Sequence, residues 1–387
     1  MKKALLASLL MATIGFASAQ SSVSLYGVLD QSYYGLSNST GANTQLQNGI
    51  NSSGASTSRF GLQGSEDLGG GLKAGFNLES QLTLSSGAVG SSNTGAAQTT
   101  TGTSEVFNRA SNVSLSSKQF GDVTIGRLTT PINGAIASVD ALGINSLGLT
   151  NYFVYGSALY GSNLVTGLAA GSNIGGASSA SAIPDLFASG IGYKTPAYHG
   201  VTGSIFTSPG SGNTTSNNAG AIREALVNFN GEGALKGLNV QAATGTVANS
   251  LGAVSLTRTL LGVNYTWDKY KVSVSQVNLR YDNSQFASII ADDLVITNAG
   301  IKYQVTAPLW IGVSYTVAKD TVNTANSSST IGIAANYELS KRTSLYALAG
   351  TTSNSGASAM TPLYGASATG TAGVDNTAYA VGLRHIF

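Results

Sequence analysis

Hydrophobic and polar residues alternate along most of this chain with a period of two. In residues 58–84, Phe60, Leu62 and Gly64 alternate with Arg59, Gly61, Gln63 and Ser65. Beyond a glycine-rich turn at residues 67–71, Leu72, Ala74, Phe76, Leu78 and Leu82 alternate with Lys73, Gly75, Asn77, Glu79 and Gln81. Strand side chains point to opposite faces in turn, so each arm has one oily and one wet face. A short glycine-rich turn joins the arms as an antiparallel hairpin.

The unit recurs to the last residue. Strands are predicted at 23–30, in the 58–84 hairpin, at 105–117 and 122–128, 186–194 and 199–207, 222–229 and 237–244, and 257–267 and 270–281. Further strands follow at 294–305 and 309–319, 331–339 and 343–350, and 377–387. The total is about sixteen, even as in a closed membrane barrel, and most approach the ~9–11 residues a tilted strand needs to cross a bilayer. A soluble sandwich with its oily faces inside has the same alternation. Loop lengths separate the two: tight turns alternate with long Ser/Asn/Gly-rich connections such as 37–57 and 85–104, as in a membrane barrel with short turns at one rim and long loops at the other. Closure also removes aggregation-prone edges. The expected fold is therefore all-β, a transmembrane antiparallel β-barrel.

Composition agrees. Only 9% of the 387 residues are charged, against roughly 25% in an ordinary globular chain. Disorder is disfavoured because 42% are hydrophobic and fall in short alternating runs. Nineteen basic against 17 acidic residues make no basic surface for nucleic acid. The absence of cysteine excludes disulfides, thiolate metal sites and Cys nucleophiles. Lys2 and Lys3, an apolar run over 4–16 and Ala17-Ser18-Ala19 read as a cleaved signal peptide, residues 1–19, with the barrel occupying 20–387.

Residues 129–185 break the pattern. The stretch is too long for an ordinary loop, and it carries Ile136, Val139, Leu142, Tyr152, Phe153, Tyr155 and Tyr160. It reads either as an external loop packed on its neighbours or as a segment folded into the barrel mouth to narrow a pore. Strand phase then places charges. Arg59, Lys73, Lys302, Asp30 and Glu79 oppose the oily residues and point inward. Arg109 lies on a weaker alternation, and Arg127 shares parity with Val123 and Ile125, so it needs a bulge near Gly126 to face inward. Together these make the polar, charged lining that water and ions require. Catalysis finds little support: His199 lies by a turn, His385 near the terminus, neither beside an evident triad partner. Asp292-Asp293 reads as a solvated loop pair, and Gly69-Gly70-Gly71 is turn chemistry with no helix behind it. No cofactor is expected.

Residues 22–30 (SVSLYGVLD), 58–74 (SRFGLQGSEDLGGGLKA), 121–127 (GDVTIGR), 337–347 (YELSKRTSLYA) and 381–387 (VGLRHIF) resemble the trimeric general porins of Gram-negative outer membranes, in the β-proteobacterial branch. The resemblance implies a sixteen-stranded barrel, a homotrimer, residence in outer-membrane lipid and lipopolysaccharide, and passive diffusion of small hydrophilic solutes and ions. It implies that the third external loop, 129–185, folds inward as a pore-constricting loop, and that Phe387 is a signal for the barrel-assembly machinery. Arg59 and Arg109 match two wall arginines of such porins. The loop departs from the family pattern in having Asp140 as its only acid between Thr129 and Ile183. Removing Lys2 and Lys3 leaves 17 basic residues against 17 acidic, so local placement decides selectivity, and a weak anion preference is expected. A barrel enzyme, a structural or adhesive surface protein and a porin with a specific solute are the competing readings; bilayer conductance separates a porin from the first two, and competition by candidate solutes tests for a specific site.

Overall fold

The structure, a computed structural model, describes residues 22–37, 47–89, 106–144, 146–155, 187–209, 218, 220–248, 252–281, 293–363 and 370–387. The strands run in chain order as β1 (Ser22–Leu36), β2 (Gln47–Ser52), β3 (Arg59–Gly69), β4 (Leu72–Thr83), β5 (Ala88–Val89), β6 (Ala110–Ser117), β7 (Gly121–Thr129), β8 (Phe187–Lys194) and β9 (Val201–Ser208). They continue as β10 (Ile222–Asn230), β11 (Leu238–Ala248), β12 (Val254–Trp267), β13 (Tyr270–Tyr281), β14 (Asp293–Gln304), β15 (Leu309–Asp320), β16 (Ser327–Glu338), β17 (Thr343–Ser355) and β18 (Asn376–Ile386). Among the described residues, two helices, α1 (Pro131–Val139) and α2 (Leu149–Tyr155), lie between β7 and β8.

All pairings are antiparallel and the sheet closes on itself. One edge of β1 pairs with β3 through Ser22–Val28 and with β2 through Gln31–Leu36; its other edge pairs with β18 through Val28–Leu36. Gly27 and Phe387 exchange both backbone hydrogen bonds at the seam. β2 and β3 thus form one wall strand interrupted at 53–58, and β5 only extends the top of β4. Counted this way the wall has sixteen strands. The predicted loop 37–57 therefore contains a strand that its polar composition concealed. The predicted turn 67–71 shrinks to Gly70 and Gly71, both at positive φ (61° and 82°), which glycine adopts without a Cβ penalty.

Asp30 explains the interruption. Its carboxylate, wholly buried, accepts the backbone N–H groups of Gly54, Ala55 and Ser56 at 3.1, 3.0 and 2.7 Å and the Tyr346 hydroxyl at 2.5 Å. A chain leaving the sheet loses its ladder partners, and one carboxylate replaces three of them.

The faces are inverted relative to a soluble protein. Leu261 and Ile333 on the outside are 58% and 53% exposed, whereas Asn298 and Thr316 on the inside are wholly buried. Oily residues that find no core inside the chain find it in lipid. Tyr265, Trp267, Tyr270 and Tyr303 stack along the outer face at the tight-turn rim, with successive ring centroids 5.5, 5.4 and 4.8 Å apart, as in an interfacial aromatic girdle.

Candidate constriction of the channel

The stretch after β7 packs inside the ring. Ile132, Ala135, Ile136 and Val139 of α1, then Leu147, Leu149 and Tyr152, are buried against inward-facing residues of β10 to β17. α1 begins with Pro131, whose missing N–H is no loss at a helix start, but Thr130 supplies no side-chain cap. The wall does so instead. Glu224 on β10 accepts the Ile132 N–H at 2.9 Å, and at the other end Lys271 on β13 donates to the carbonyls of Ser138 and Asp140 at 3.4 and 3.0 Å. An anion at the N-terminus and a cation at the C-terminus both match the helix dipole. Glu224 is itself paired with Arg258 of β12, both fully buried.

A row of inward glycines receives the segment. A Cβ added at Gly245 would lie 3.0 Å from Ile132, at Gly262 2.5 Å from Val139, and at Gly300 2.8 Å from Ala141. Added at Gly312 or Gly332 it would collide with Leu142 or Leu147. Beyond α1, Asp140 accepts from the Leu142 N–H at 3.0 Å and the Thr150 N–H at 3.4 Å, stapling the start of α2 to the end of α1. Ser146 reaches across to the Gly54 carbonyl, and Tyr152 bonds Ser328 and Thr330 of β16 at 2.9 and 2.7 Å.

Across the ring from this segment, β3 and β4 carry a charge cluster. Glu79 lies 3.3 Å from Arg59 and 2.5 Å from Arg109, and accepts the Tyr26 hydroxyl at 3.0 Å. Arg109 sits just before β6, where the chain bends, and its guanidinium lies 4.5 Å over the Phe187 ring. Arg59 also donates to the Thr57 carbonyl at 2.8 Å.

The other predicted residues fare differently. Lys73 faces inward but sits next to the Gly70-Gly71 turn, roughly 20 Å along the strand from Glu79. Lys302 also faces inward, its ammonium 5.2 Å over the Trp310 ring. Three residues expected in the pore lining are corrected. Asp30 is consumed by the strand break and has no exposed surface. Asp140 is also fully buried, and burial holds its carboxyl above the usual carboxylate range despite backbone hydrogen bonds and the nearby Lys271. Arg127 keeps the phase of Val123 and Ile125, because β6–β7 and β7–β8 pair without a register shift; it turns back to donate to the Asn108 carbonyl at 2.5 Å. Of the 129–185 segment, Asn145 and residues 156–185 lie outside the described residues, as do the signal peptide and Asp292. His199 packs edge-on against Tyr198, and His385 bonds Thr343 at 2.9 Å. Glu224, Arg258 and Lys271 escape a reading of the sequence; the signal they offer is charge among apolar residues on strands oily on both faces.

Residues 6–357 match the model of the Gram-negative porin family. The chain belongs to that family. Its oily belt and closed wall sit accordingly in the bacterial outer membrane. Two relatives are similar over part of their length: outer membrane porin protein 32 of Delftia acidovorans, 39% identical over 148 residues, and an outer membrane porin protein of Bordetella pertussis, 34% identical over 159. The matched stretches span 38% and 37% both of this porin and of the respective relative. Among solved structures, an anion-selective porin from Comamonas acidovorans superposes with a TM-score of 0.70 at 25% identity, covering 95% of this chain and 100% of that one. A Salmonella typhi OmpF structure gives 0.61 at 14% identity over 94% and 97% of the two chains, a likeness of fold alone.

Proposed function

We propose that this porin is a passive, weakly anion-selective diffusion channel for small hydrophilic solutes and ions, that it works as a homotrimer seated in outer-membrane lipid and lipopolysaccharide, and that it acts by transport without catalysis. In this reading segment 129–185 is the constriction, and Phe387, its ring over Gly27 on the outer face, serves the barrel-assembly machinery. The observation that carries the selectivity is the Arg59–Glu79–Arg109 cluster. Two guanidiniums against one carboxylate leave one positive charge on the wall opposite the segment, while the segment's Asp140 is buried away from the channel. The Comamonas acidovorans relative's anion selectivity supports the same sign.

A planar bilayer under a salt gradient tests this. Neutralising Arg59 and Arg109 as Arg59→Gln and Arg109→Gln turns the cluster's charge from positive to negative. A unit charge ~5 Å from an ion in water is worth about 0.8 kcal/mol; the two-unit swing acts on cation and anion in opposite senses, about 3.3 kcal/mol in all, so the cation-to-anion permeability ratio should rise by at most roughly a few hundredfold at low salt. The rise shrinks as salt screens the wall. A wild-type reversal potential that is strongly cation-selective, or a double variant that does not move it, refutes the assignment.

A further inference from the structure

On the tight-turn side of α1, a cavity of about 890 Å³ opens between the helix and the inner faces of β7 to β13. Its charges do not favour an ion. Asp122 and Lys194 are direct cross-strand partners, and Lys271 is engaged by the carbonyls that end α1. Its distinctive chemistry is a row of carboxamides on three adjacent strands: Asn228 and Asn230 of β10, Asn239 and Gln241 of β11, and Asn264 of β12.

Asn239 is the hub. Its NH2 group donates to the side-chain oxygens of Asn228 and Asn230 at 2.7 and 2.8 Å, and its own oxygen accepts from Asn264 and Gln241 at 3.1 and 3.2 Å. With their oxygens engaged, Asn228 and Asn230 present their NH2 donors to the cavity, and neither side chain is buried. Leu128, Pro131 and Leu226, each only partly buried, add apolar surface to the same lining. An apolar surface with a few fixed polar groups is the usual make-up of a small-molecule site, and the volume falls within the ~300–1,000 Å³ such sites occupy.

A ligand matching both kinds of surface is uncharged, has an apolar C–H face and is ringed by hydroxyl groups that both accept and donate. We propose that this vestibule is a binding subsite for neutral polyhydroxyl solutes of mono- to disaccharide size, which the porin retains briefly during passage. The proposal rests on the channel reading above.

The test is single-channel recording of the full-length assembly with maltose added to one side at a time. Saturable partial block or excess current noise is expected, stronger from the tight-turn side. A polyethylene glycol of equal size should lower the current only in proportion to bulk conductivity. Asn230→Ala, at an exposed position, removes one donor and should raise the half-saturating maltose concentration roughly three- to tenfold, the worth of one neutral hydrogen bond. Asn239→Leu removes the hub and should raise it further, with heat-modifiable mobility on gels reporting that the barrel has folded. A linear maltose effect, an effect unchanged by Asn230→Ala, or tighter saturable block by phosphate than by maltose overturns the subsite. Absence of any conductance would instead overturn the channel reading.

Discussion

The inward glycines make the seat of the segment directly testable. Gly332 of β16 is the sharpest case, because all three nearest neighbours of an added Cβ are side-chain atoms of Leu147, the farthest at 3.0 Å. Apolar atoms prefer ~3.5–4.0 Å, so Gly332→Ala forces Leu147 back by about 1 Å. Overpacking of this kind costs roughly 1–3 kcal/mol, offset by about 0.5–1 kcal/mol from removing a flexible glycine from a strand. Leu147 has no exposed surface, and Leu147→Ala should cost about 2–5 kcal/mol through the hole it leaves. In the double variant the new methyl enters that hole, so the two costs should fall short of additivity by at least about 1 kcal/mol. Denaturant unfolding of the detergent-solubilised porin reads these differences. Open-channel current noise reads the segment's position directly, and it should rise in Gly332→Ala and fall again in the double variant. Strict additivity, or a Gly332→Ala channel as quiet as wild type, would show that Leu147 does not seat in that slot.

Glu224→Gln should destabilise the porin by about 3–5 kcal/mol, because the buried Arg258 loses its carboxylate and the α1 start its anionic cap; adding Arg258→Met should recover most of this, and a neutral single variant would refute the pairing. Gly134 lies within α1 with open space where a Cβ would go, so Gly134→Ala should stabilise by about 0.8–1 kcal/mol, measured by the same unfolding; destabilisation would mean the helix is misplaced. The Asp140 carboxyl is held above its ordinary range by burial, so its contribution is fully present at acid pH, below the unfolded value, and is lost as pH rises through the folded one. Asp140→Asn, facing the same Lys271 and Lys302, should flatten that slope, and an unchanged pH profile of unfolding would remove Asp140 from the account.

The wall is legible in the sequence because lipid imposes a strict rule on it. On β15, Ile311, Val313 and Tyr315 face out while Gly312, Ser314 and Thr316 face in, and a period of two reads this directly. Legibility fails where the inner face also turns apolar. Leu256, Leu260, Val277, Leu279, Leu294 and Ile296 all point inward to cover the segment, so β12 to β14 carry oily residues on both faces and the phase of nearby charges is blurred. That is why Arg258 and Lys271 do not stand out, and Glu224 on β10 is masked in the same way between the inward-facing Ile222 and Leu226. Phase puts Asp30 on the correct face but says nothing about depth, and its partners at 54–56 lie in a strand break that polar composition disguises as loop. The helices stay hidden because α1 has only nine residues and takes its caps from strands about 90 to 130 positions later.

The seam between β1 and β18 also governs the order of events when the chain is made. Val28 meets Ile386 and Leu36 meets Ala378, so the ring joins strands roughly 350 positions apart in the sequence. Until β18 pairs with β1 the sheet has two unsatisfied edges, and Asp30 lacks its set of partners until Tyr346 is in place. Closure of so distant a pair is slow and aggregation-exposed by nature. A chain lacking β18 is thus more than a shorter barrel: it is a ribbon that never acquires an inside.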